Sequence, residues 1–291
     1  MIYLLIVSFI WAFSFGLIKG NLTGLDSNFV AWIRMSVSLV VFVPFLRIKG
    51  IERKLAVKLI VLGMLQYGLM YITYIYSYQF LKAYQVAIFT IFTPLFVTLI
   101  NDILEKRFHP LFLAVAILAI TGTAIIVNKQ IHQNDIRIGF FIIQVSNLCF
   151  ASGQVWYKKI MSRYNDIKDA NIFGLLYFGA FIITFIAALS TTEWSTLQVS
   201  TKQIFTLLYL GAIASGLCFF LWNYGAKKTD IGALAVFNNM KVPLAVTCSI
   251  LFFNEKGSIP RLLIGGVIIL AALFINEWLI RKKPVVINGK N

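Results

Sequence analysis

The chain has 291 residues, of which 59% are hydrophobic and only 13% charged, and its mean hydropathy is +0.84. A soluble domain carries roughly a quarter charged residues and could not hide this much apolar surface. The net charge of +15 points away from nucleic acid, because the basic residues lie in short clusters between apolar runs and not on one surface that could track phosphates.

About twenty apolar residues cross the hydrocarbon core as a helix, and the apolar runs define ten such spans. The first, near 2–19, starts directly after Met1 with no basic segment and no small-residue cleavage site, which reads as a retained helix. It offers Trp11 and Ser14 as candidate substrate contacts. The second, near 28–47, carries Arg34. The third, near 55–78, carries Tyr67, Tyr71, Tyr74 and Tyr78, which fall within an arc of about 60° at 100° per residue. Tyrosines stacked this way can line a wet cavity and hold a ring or a cation, or can simply pack and anchor at the interfaces. Tyr71 and Tyr74, the inner pair, are the candidates for contact with a substrate.

The fourth and fifth spans lie near 84–103 and 110–128, with Pro94 interrupting the fourth. The sixth, near 139–157, contains Gln144, Asn147 and Gln154; Asn147 is taken as a candidate site residue. The seventh, near 170–190, is almost wholly apolar. The eighth, near 203–225, has Trp222 and Asn223, and its Gly211, Ala212, Ser215 and Gly216 form small-residue pairs suited to close helix packing. Buried amides often only bridge helices, at a gain of ~0.6 kcal/mol each.

The ninth span, near 232–253, holds Asn238 and Lys241 on one face, followed by Pro243, which removes the bond to the Asn239 carbonyl. A lysine in mid-helix costs ~2.5–3.5 kcal/mol on insertion scales, so Lys241 is expected to face a cavity or a partner. No acid lies deep in any predicted span, which favours an anion socket over a buried ion pair. The tenth span, near 262–280, precedes a short basic tail.

With the N-terminus in the cytoplasm, seventeen of the twenty-six Lys and Arg fall inside, seven fall outside, and Arg34 and Lys241 lie within spans. That bias predicts cytoplasmic N- and C-termini and an even number of spans in a cell (inner) membrane.

The halves also repeat. The segments 82–94 and 231–243 align at an offset of 149, each with a small residue eleven positions before its proline, and Glu105/Glu255 and Pro110/Pro260 follow at an offset of 150. Five helices per half would set the halves in opposite orientations, a transporter architecture. The predicted organisation is a first five-helix repeat over 1–130, a second over 139–281 and a cytoplasmic tail over 282–291. The fold class is thus all-α integral membrane, with ten transmembrane helices in a 5+5 inverted repeat.

The segment from Trp11 to Lys19, Arg34 in the second span, and the two proline–glutamate segments at 83–105 and 232–255 together resemble the EamA-type branch of the drug/metabolite transporter superfamily over essentially the whole chain. The resemblance implies a central cavity, alternating access and no use of ATP. It also implies a gating or structural role for Arg34, and the same role is assigned to Pro94 and Pro243. The run Asn238 to Pro243 is further similar to an Asn-Lys motif of nucleotide-sugar transporters, which bind anionic substrates there.

No catalytic residue, cofactor or metal is expected. Cys149, Cys218 and Cys248 lack ligand spacing, and His109 and His132 lie in loops. The acids near span ends disfavour proton coupling. The leading expectation is a facilitator or exchanger for a small carboxylate-bearing metabolite, such as an amino acid or S-adenosylmethionine. Lys241 would hold the anion, with Asn238, Tyr71, Tyr74, Asn223, Trp222, Asn147, Trp11 and Ser14 around it. The alternatives are an exporter of cationic or hydrophobic compounds and, more distantly, a membrane-embedded lipid-modifying enzyme using Asp102 and His109. Partners are a small-molecule substrate and the lipid bilayer, with a monomer or homodimer as the assembly and no nucleic acid.

Overall fold

A long apolar segment in lipid has only its own backbone to bond, and the helix satisfies every N–H and C=O within one segment. The computed structural model is accordingly helical, with no strand among the residues described, which are 2–106, 134–164, 166–229 and 231–253 with scattered helical positions beyond them. Eight helices follow in chain order: α1 (Ile2–Asn21), α2 (Ser27–Phe45), α3 (Arg53–Ser77), α4 (Ala83–Glu105), α5 (Asn134–Met161), α6 (Asp169–Thr191), α7 (Thr201–Lys227) and α8 (Ile231–Phe253). The first seven are each long and apolar enough to cross a membrane. Large apolar side chains such as Val40, Phe141, Phe205 and Leu251 point outward, each more than two-thirds exposed, as a lipid-facing surface requires.

Helices α5 to α8 are the sixth to ninth predicted spans, and their ends agree with the sequence to within a few residues. The fifth and tenth predicted spans fall outside the described residues apart from isolated positions. So do His109, His132, the boundary near 130 and the 282–291 tail.

Local chemistry sets the helix ends. Asp26 Oδ1 accepts from Phe29 N at 2.9 Å to cap α2, and Ser200 and Gln203 form a capping box at the start of α7. Lys106 closes α4 in the left-handed conformation, at φ 54°.

Two kinds of irregularity shape the interior. In α4, Pro94 has no N–H to donate, and the helix tightens to a 3₁₀ turn over Thr90–Phe92, where Thr93 N bonds Thr90 O instead of Phe89 O. Asn147 Nδ2 from α5 then donates to Phe89 O at 2.8 Å. By contrast, α8 runs as uninterrupted helix through position 243, and the Pro243 side chain lies outside those described. The proline repeat in the sequence therefore does not produce matching breaks.

The second irregularity is a widened π segment, at Met64–Leu69 in α3 and at Leu210–Leu217 in α7. Both sit where glycines allow close crossing. A methyl group at Gly63 would lie 1.9 Å from Leu176 O and one at Gly179 would lie 2.0 Å from Ile60 O, so α3 and α6 meet backbone to backbone. At Gly211 a methyl would strike Val37, which brings α7 against α2, as the small-residue pairs there predict.

The helices surround a single interior. α1 packs on α8, α7 and α4; α2 packs on α6, α7 and α3; and α5 packs on α3 and α4.

Candidate functional site

A cavity opens within the bundle, bordered by residues from every described helix except α6. Among the described residues its lining includes two cations, Arg34 and Lys241, and no carboxylate.

Lys241 projects from α8 and is 5% exposed. Its Nζ lies 5.3 Å from the Trp11 ring, 5.6 Å from Phe150 and 6.0 Å from Trp222. Three ring faces thus partly offset the loss of water around the ammonium. Among the described residues it has no ion pair. The rings are themselves held in place: Trp11 Nε1 donates to Ala214 O at 2.7 Å and Trp222 Nε1 to Gln154 Oε1 at 3.1 Å. Asn238 Nδ2 reaches the same Gln154 oxygen at 3.3 Å. Gln154 therefore orients both the tryptophan and the asparagine behind the lysine.

Arg34 projects from α2 and is 1% exposed. Its Nη2 donates to Tyr71 OH at 2.6 Å and to Ser215 Oγ at 3.0 Å, while Nε donates to Ser215 Oγ at 3.2 Å. Its Cζ sits 4.5 Å from the Tyr71 ring centre. Ser215 can be there because the π segment of α7 displaces it, with its hydroxyl donating to Leu210 O five residues back at 2.8 Å. The carbonyls of Ser215 and Gly216 that this widening leaves open accept from Tyr177 OH at 3.1 and 2.6 Å.

The sequence-predicted residues divide into two sets. Lys241, Trp11, Ser14, Tyr71, Tyr74, Asn147 and Arg34 all border the cavity. Within that set Asn147 is largely committed to mending the Pro94 break, Ser14 Oγ donates to Ile10 O at 3.0 Å, and Tyr74 OH is bonded to Tyr78 OH at 2.9 Å. Asn223, Asn238 and Trp222 stand outside the lining. Asn223 exchanges hydrogen bonds with Gln66 at 3.0 and 3.3 Å and donates to Tyr67 OH at 2.8 Å, which occupies its amide. Trp222 and Asn238 support Lys241 from behind. The lining residues not singled out from sequence are apolar or small: Phe15, Met70, Thr90, Thr93, Ser146, Phe150 and Phe219. Neither polarity nor spacing distinguishes them from ordinary packing residues.

A bundle of long apolar helices around a largely apolar cavity that carries two cationic side chains defines a multi-pass membrane protein. The chain belongs to the EamA-like transporter family, within the drug/metabolite transporter superfamily, whose sequence profile matches residues 1–128 and 137–277. It is 36% identical to a probable biotin transporter of Pseudomonas aeruginosa over 95% of this chain and 97% of that one. It is 34% identical to biotin transporters of Salmonella typhimurium and Escherichia coli over 96% of this chain and 93% of theirs. A solved crystal structure shares the fold, with a TM-score of 0.71 at 14% identity over 96% of this chain and 99% of that one.

Proposed function

We propose that this transporter carries biotin, or a closely similar heterocyclic carboxylate, by alternating access around the central cavity. The observation that carries the reading is Lys241, a nearly buried cation ringed by Trp11, Phe150 and Trp222 with no ion pair among the described residues. Such a group recognises a carboxylate while its rings cover an apolar body. Biotin has both parts, an alkyl carboxylate and a compact bicyclic ring, and the relatives named above bear that substrate in their names. An amino acid or S-adenosylmethionine fits less well. Each adds a cationic group, and among the described residues the lining holds two cations with no carboxylate to receive it. A cationic drug is disfavoured for the same reason.

The repeat architecture belongs to this proposal too: ten helices in two inverted sets of five, over 1–130 and 139–281, with both termini in the cytoplasm of an inner membrane. It is supported by the internal offset of 149, by the seventeen-to-seven charge bias and by the two segments matched by the family profile. The absence of an acid among the described lining residues favours facilitated diffusion or exchange over proton coupling.

The experiment is uptake by purified protein in liposomes, screened with biotin, amino acids and adenosyl metabolites, with and without a pH gradient. Saturable biotin uptake that ignores the gradient is the expected result. Uptake of an amino acid but not of biotin, or of lipophilic cations alone, would overturn the assignment.

A further inference from the structure

Arg34 carries a charge that none of its hydrogen-bond partners cancels. Two of its three nitrogens are taken by neutral hydroxyls, those of Tyr71 and Ser215. Nη1, on a side chain only 1% exposed, has no hydrogen-bond partner among the described residues. A bare donor on a buried guanidinium is costly, and an acceptor that enters the cavity Arg34 borders would relieve that cost. Arg34 borders the same space as Lys241, and aromatic rings in series separate the two. Tyr71 lies 5.6 Å from Phe219, Phe219 lies 5.3 Å from Trp11, and Trp11 lies 5.3 Å from Lys241 Nζ. The cavity thus has two cationic poles with an apolar stretch between them.

The poles differ in kind. Lys241 is a point charge without a fixed direction. Arg34 has one free nitrogen, because its other two are fixed by Tyr71 and Ser215, and so cannot offer the two-nitrogen fork that a carboxylate favours. A single carbonyl oxygen suits it better.

We infer that Arg34 is a second recognition pole, whose Nη1 receives a neutral carbonyl at the end of the substrate remote from the carboxylate. In biotin this is the ureido oxygen. Tyr71 and Ser215 are positioning residues that hold the guanidinium plane. The inference rests on the biotin reading.

The test uses 2-iminobiotin, in which the ureido oxygen is replaced by a nitrogen that is protonated at neutral pH, as a competitor of labelled biotin uptake. Against wild-type protein it should compete at least about 30-fold more weakly than biotin, since a cation would face a cation and a charged hydrogen bond is lost. Arg34→Gln should weaken biotin itself and narrow that preference to about threefold or less. Arg34→Lys, which keeps the charge but loses the planar geometry, should weaken biotin while retaining the preference. Ser215→Ala, which loosens the guanidinium without removing it, should move the ratio partway and serves if neither Arg34 variant assembles. Equal competition in wild type, or a ratio unmoved by Arg34→Gln and by Ser215→Ala, would overturn the inference while leaving biotin transport standing. A wild-type protein that does not carry biotin would instead remove the reading beneath it.

Discussion

Lys227 and Lys241 lie on successive helices and are treated in opposite ways. At the end of α7, Lys227 Nζ pairs with Asp169 Oδ2 at 2.5 Å, and Tyr157 OH donates to the other oxygen of that carboxylate at 2.5 Å. In the cavity, Lys241 and Arg34 are more deeply buried, yet ring faces and hydroxyls surround them and no carboxylate among the described residues pairs with either. A compensated charge fastens one helix to another. An uncompensated buried one destabilises the empty protein and is tolerated where a ligand completes it. The difference separates what holds the bundle together from what the bundle is for.

The contrast breaks first at Lys241. Lys241→Ala should reduce saturable biotin uptake by about 30-fold or more, because truncating one partner of a buried charge pair costs ~2–5 kcal/mol of binding. Membrane insertion and yield should be unchanged, since the side chain holds no other part of the protein by an ion pair. Near-normal uptake by this variant would show that the cavity cation is not the anion socket.

Asp169→Asn should do the reverse. It leaves Lys227, itself 22% exposed, without its partner, so the cost is about 2 kcal/mol, below that of a fully buried pair. Thermal unfolding in detergent should show a lower apparent Tm, with biotin affinity within about twofold of wild type. Asn223→Ala extends the comparison to neutral groups. It strands Gln66 and Tyr67 and should cost about 1–2 kcal/mol of stability, again with affinity retained. A large loss of affinity there would mean that this amide cluster opens to the substrate.

These expectations also mark how far the sequence could be read. Apolar run length and short polar breaks located the eight described helices, because lipid leaves the backbone no alternative. The cost of a lysine in mid-span led to Lys241 and to the cavity around it. Direction within a helix was harder to read. Asn223, Asn238 and Asn147 are alike as buried amides, yet one serves Gln66 and Tyr67, one serves Gln154, and one serves the carbonyl that Pro94 releases. Those partners lie 58 or more residues away along the chain, and no local pattern reports them. Ser215 read as a small packing residue, since nothing in Gly-Ala-Ile-Ala-Ser-Gly announces a π segment that turns its hydroxyl toward Arg34.

The finest division falls inside the tyrosine stripe, where the sequence treats Tyr71 and Tyr74 as equals. Both border the cavity. Tyr71 OH bonds the Arg34 guanidinium at 2.6 Å and Ser215 at 2.9 Å, whereas Tyr74 OH bonds only its neighbour Tyr78 among the contacts described. Tyr71→Phe keeps the ring beneath the guanidinium but removes the oxygen that fixes its orientation, a loss of about 1 kcal/mol, or roughly fivefold in the apparent KM for biotin. Tyr74→Phe removes a bond between two tyrosines that each keep their packing, and should change KM by less than about twofold. If the two substitutions prove equal, the stripe acts as a uniform wall, and the orientation of Arg34 plays no part in how the substrate is held.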